Sequence, residues 1–89
     1  MVNIELEPEL EACVETQAKR QYEQTQRELL KGGEEKGLTE KLETLRLFLE
    51  SADFSKLRSE SEKHLVEGKR VKFVLSLEEG KPKYEMRIV

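Results

Sequence analysis

Val2, Ile4 and Leu6 alternate with Asn3, Glu5 and Glu7, a period of two that predicts a short strand with its apolar groups on one side. Pro8 ends that pattern and suits the first turn of a helix, where a missing N–H costs nothing. The next periodicity is helical: Leu10, Val14, Ala18, Tyr22, Thr25 and Leu29 form one stripe, and no Gly or Pro interrupts the chain from Pro8 to about Lys31. The stripe is thin, because Gln17, Gln21, Gln24 and Gln26 widen the polar side. Acidic residues crowd the start of this helix, where the positive end of its dipole favours them.

Gly32-Gly33-Glu34-Glu35-Lys36-Gly37 breaks the pattern. After it, Leu38, Leu42, Leu45 and Leu49 step by four, three and four, the spacing of a packed helical seam. Phe48 and Ala52 broaden the seam, and Leu47 lies off it. Asp53 reads as an N-cap for a further helical segment in which Phe54, Leu57, Ser61, His64 and Leu65 share a face, and Gly68 reads as its C-terminal stop.

The closing stretch returns to a period of two. Val71, Phe73, Leu75 and Leu77 share one face of a strand, and Tyr84, Met86 and Ile88 share one face of another. With residues 79–82 as the turn, Leu77 falls opposite Tyr84, Leu75 opposite Met86 and Phe73 opposite Ile88. A lone hairpin is marginal in water, so this one is expected to lay its apolar face on the helices and to recruit the N-terminal strand as a third member. The fold class read from the pattern is α+β: short strand, long helix, broken second helix and C-terminal β-hairpin, with helices on one face of an antiparallel sheet. Residues 1–89 form a single small domain.

Composition changes this picture in two places. The chain has 89 residues, and a core of that size covers only about 60–65% of the unfolded surface, which makes a partner subunit plausible. The net charge of −3 divides unevenly at Gly68: 10 basic and 16 acidic side chains before it give −6, and 6 and 3 after it give +3. A basic segment on an acidic protein meets either an anionic ligand or the acidic part of its own or a second chain.

The chemistry the sequence offers is sparse. With one cysteine, Cys13, no disulfide framework or CxxC site forms within the chain, and a reducing, cytoplasmic setting is expected. Cys13 and His64 are the only soft metal ligands, too few for a structural zinc site, so no metal or cofactor is expected. MVNIELEPELE lacks the basic and apolar character of a leader and nowhere do eighteen apolar residues run together, so no membrane association is expected. Gly32–Thr39 fits the phosphate-loop spacing except that Leu38 stands where the lysine belongs. A helix rather than a strand precedes it, so it reads as a linker. The many glutamates read as solvated faces and helix pairs such as Glu15 with Lys19 and Glu23 with Arg27. No catalytic set is expected, and an enzyme is not.

Lys69, Arg70, Lys72 and Arg87 are the candidate nucleic-acid contacts, since phosphate binding needs clustered cations on one surface. Phe73 and Tyr84 fall on the core side, which removes the stacking platform of a single-strand binder. VNIELEPELEACV resembles the opening of ribbon-helix-helix regulators, in which a short strand leads into a helix and the strands of two subunits pair. The resemblance implies DNA reading by the strand's outward residues, yet Asn3, Glu5 and Glu7 occupy those positions, and the long first helix and the hairpin depart from the family. The leading expectation is therefore a non-enzymatic protein-interaction module acting as a homodimer, with an unidentified protein partner also possible. The alternative is a nucleic-acid-binding regulator, antitoxin-like or built on the basic hairpin.

Overall fold

The computed structural model describes residues 3–32 and 36–89, with Lys36 described in its backbone only. Val2 and the Gly33–Glu35 part of the linker lie outside the described residues. In chain order the elements are β1 (Ile4–Leu6), α1 (Val14–Leu30), α2 (Lys36–Ser51), α3 (Phe54–Val66), β2 (Val71–Glu78) and β3 (Lys81–Ile88). The strands form one antiparallel sheet in the order β1-β2-β3, so all three helices lie in the connection between β1 and β2.

Alternation decides which side of the sheet is dry. Val71, Phe73 and Leu75 of β2 are each 2% exposed or less, as are Ile4 and Leu6 beside them on β1. Against this face pack Val14 and Ala18 of α1, Leu45 and Phe48 of α2, and Leu57 of α3. Burying each such large side chain contributes about 1.5–3 kcal/mol before chain entropy is counted. Phe48 lies under the hairpin, with its ring edge-on to Phe54 at 5.3 Å and to Tyr84 at 5.7 Å. Thr25 and Thr44 are also buried, and each hydroxyl donates to the carbonyl four residues back, Gln21 O at 2.7 Å and Glu40 O at 2.8 Å.

The helix ends follow their local chemistry. Asp53 caps α3 by accepting from the Lys56 amide at 3.2 Å. At the other end Gly68 adopts φ +82°, and the amides of Gly68 and Lys69 close back on Leu65 O and His64 O, each at 3.0 Å.

Two boundaries differ from the sequence reading. Helix α1 begins at Val14 rather than Pro8: residues 9–12 form a tight turn in which the amides and carbonyls of Glu9 and Ala12 bond reciprocally, at 2.8 and 3.1 Å. Pro8 and Ala12 are buried and Leu10 points outward, so the stripe runs from Val14, not Leu10. The hairpin is also tighter than expected. Its turn is Glu79-Gly80, both with positive φ (51° and 76°), and Leu77 faces Pro82, Leu75 faces Tyr84, Phe73 faces Met86 and Val71 faces Ile88. The slip from the expected register is two residues, so the apolar faces still coincide.

Candidate interaction surface

The parity of the hydrogen bonds in the sheet determines what its edges offer. Val89 N donates to Arg70 O at 2.9 Å, which makes 70·89 a hydrogen-bonded pair. Such pairs alternate in an antiparallel ladder, so Arg87, Glu85, Lys83 and Lys81 turn their amides and carbonyls toward β2. Ile88, Met86, Tyr84 and Pro82 turn theirs to the free side. Pro82 therefore sits in a strand without removing a ladder bond, which explains why the chain needs no wider turn.

The same alternation makes Glu5 and Glu7 the outward-facing residues of the β1 edge, and there the carbonyls are covered. Gln21 Nε2 donates to Glu5 O at 3.2 Å, and Gln17 Nε2 donates to Glu7 O. These two glutamines are one turn apart on α1. The β3 edge has no such cover: among the described residues, no side chain or backbone group bonds the outward amides and carbonyls of Tyr84, Met86 and Ile88. The apolar side chains there are also only half covered. Tyr84 is 45% exposed and Ile88 49%, in contrast to the buried β2 residues they face. The expected burial of the Tyr84 ring beneath the ribbon is thus met on one side only, by Phe48.

The outer face of the sheet is a mixture of signs. Arg70, Lys72, Lys81, Lys83 and Arg87 stand against Glu5, Glu7, Glu78 and Glu85, a surplus of one positive charge. Arg70 meets Glu7 at 2.9 Å, Lys72 meets Glu5 at 3.2 Å, Arg87 meets Glu85 at 3.1 Å, and Lys69 meets Glu67 at 3.1 Å. Of the four candidate nucleic-acid contacts, the structure brings Arg70, Lys72 and Arg87 together, with Lys72 directly opposite Arg87. Lys69 precedes the strand and pairs at the helix–strand corner. Lys69, Arg70 and Lys72, three of the six cations after Gly68, are therefore engaged by the acidic part of their own chain.

Cys13 and His64 are apart from this surface. Cys13 occupies the N-cap position of α1 without a side-chain capping bond to the backbone, and its Sγ lies 3.4 Å from Thr16 Oγ1. Thr16, through its hydroxyl and then through its nearby amide, which closes no capping bond, holds the thiol below its ordinary value. Partial burial acts in the opposite direction, and the Glu15 amide and the Arg58 charge assist Thr16. A depression of about 190 Å³ lined by Cys13, Val14, Glu15, Phe54, Ser55 and Arg58 adjoins it. His64 is half-buried on α3, and its Nδ1 is shut from solvent with no hydrogen-bond partner among the described residues. Among the described residues no three His, Cys, Asp or Glu side chains converge on a metal-sized site, and no helix is long and apolar enough to cross a membrane.

These features define a small α+β module with a one-sided sheet, one sealed edge and one open edge. Residues 1–87 match the model of a family of uncharacterised proteins, and the chain belongs to that family. An uncharacterised protein of Archaeoglobus fulgidus is 53% identical over 49 residues, covering 52% of this chain and 58% of that protein. The match thus spans little more than half the length of that relative. No solved structure matches.

Proposed function

We propose that the chain is a non-enzymatic protein-interaction module that works as a homodimer. The observation that carries this reading is the open β3 edge, eight residues long, on which unbonded backbone groups coincide with half-exposed Tyr84 and Ile88. Pro82 and the lysines at 81 and 83 blunt the turn end of this edge, and the stretch from Tyr84 to Ile88 remains a template for another strand. The ion pairs on the outer face support the same reading from the other side. Their cations are already within hydrogen-bond distance of carboxylates, which leaves little positive field for a phosphate backbone.

Sedimentation equilibrium at micromolar concentration tests the proposal. A species of twice 10.4 kDa is expected, and only the 10.4 kDa species across the range would remove the reading. The nucleic-acid alternative predicts instead a mobility shift with mixed DNA or RNA fragments that fades as salt rises.

A further inference from the structure

We infer that the occupant of the β3 edge is a second copy of the same strand, paired antiparallel about a twofold axis at Met86. This rests on the homodimer reading and adds the surface and the register. A twofold axis perpendicular to the sheet keeps the helices of both copies on one side, so Tyr84, Met86 and Ile88 stay on the covered face and Lys83, Glu85 and Arg87 on the outer one. The registers then differ only in which residue lies on the axis, and the charges along β3 choose between them.

With the axis between Tyr84 and Met86, Glu85 meets itself and Lys83 meets Arg87, both like-charge contacts. An axis at Tyr84 also joins opposite charges, Lys83 with Glu85 twice, but it sets Lys81 against Arg87 twice and places Pro82, which has no amide hydrogen, opposite Met86, so that a ladder bond is lost. With the axis between Met86 and Ile88, Arg87 meets itself. With the axis at Met86, Glu85 of each copy faces Arg87 of the other, twice by symmetry, and no like charges among residues 83–88 oppose one another. Each outward amide of Tyr84, Met86 and Ile88 then reaches an outward carbonyl of the second copy: Met86 pairs with Met86 and Tyr84 with Ile88, bringing together the two large side chains left half exposed on this strand. Pro82 falls outside the paired stretch. The Glu85–Arg87 contacts occupy non-hydrogen-bonded positions, where side chains approach most closely. Glu85 and Arg87 already meet at 3.1 Å within each chain, so across the axis the four groups alternate in sign.

Charge reversal tests register and partner together. Glu85→Arg and Arg87→Glu are each expected to weaken self-association about tenfold, since two attractive contacts become repulsive in each case. The double variant E85R/R87E restores it. Mixing the two single variants restores it as well, because one chain then carries cations at both positions and the other carboxylates at both, so each contact again joins opposite charges. The single variants carry net charges of −3 + 2 = −1 and −3 − 2 = −5, so no general attraction drives their association. Recovery on mixing also demonstrates that both are folded. Loss in the single variants with recovery in the double variant and the mixture supports the inference. A wild-type dimer whose association ignores all these changes, or single variants that neither the double change nor mixing rescues, overturns the register and leaves the homodimer reading in place. A wild-type chain that is monomeric throughout overturns both.

Discussion

The two edges of the sheet face the same physical problem and meet it differently. Along β1 the outward carbonyls of Glu5 and Glu7 are met by Gln21 and Gln17 of the following helix, and the strand is only three residues long. Along β3, eight residues long, the outward groups of Tyr84, Met86 and Ile88 meet nothing among the described residues. One edge is sealed from within the chain; the other has no such cover among the described residues. An exposed edge is a standing hazard of aggregation. Two glutamines cover the shorter edge while the longer one, with apolar groups beside it, has no such cover among the described residues, and the proposed association rests on that contrast.

The largest expected effect comes from removing what the open edge rests on. Phe48 is 1% exposed and carries the Tyr84 ring on its edge, so Phe48→Ala is expected to cost about 3–5 kcal/mol in urea unfolding and to loosen β3 first. Unsealing the other edge has a smaller effect. Gln17→Ala with Gln21→Ala is expected to destabilise by about 1–2 kcal/mol and to produce species heavier than those of the unaltered chain by light scattering, because both edges are then open. Cys13 stands one turn before Gln17 and sets where α1 begins. Cys13→Ser supplies the missing cap and is expected to stabilise the helix, and with it the seal, by about 0.5–1 kcal/mol in the same assay.

The smallest effect concerns the thiol. Its alkylation rate is expected to rise with pH at a midpoint below that of a free thiol, and Thr16→Val is expected to move that midpoint upward. Because the folded value is the lower one, the associated stability is present above the unfolded thiol's value and fades as pH falls through the folded value.

Much of this architecture is legible in the sequence wherever periodicity and a local device agree. The apolar faces of β2 and β3, the α2 seam through Leu45 and Phe48, the Asp53 cap, the Gly68 stop and the recruitment of β1 as a third strand all follow from residue patterns alone. The start of α1 does not, since Pro8 and Leu10 fit a helical stripe as well as they fit a turn; only the burial of Pro8 and Ala12 separates the two. The turn reads too wide because Pro82 looks like a turn residue, and on an edge strand its missing amide simply faces outward. The least legible feature is the most consequential. Gln17 and Gln21 read as the wet side of a thin helix, and their role emerges only once β1 is known to lie beneath them with its carbonyls turned out. The spacing of two glutamines by four after an edge strand is the available signal. Likewise, the complementary charge of the chain ends points toward a partner, but Arg70–Glu7 and Lys72–Glu5 engage it internally, which moves the weight of the homodimer reading onto β3.

Residue-resolved amide exchange across a dilution series tests the contrast between the edges most directly. Protection of the Tyr84, Met86 and Ile88 amides should climb with protein concentration, while Lys83, Glu85 and Arg87, bonded to β2, are protected even in dilute solution. Fast exchange at Tyr84, Met86 and Ile88 at every concentration would contradict pairing at this edge.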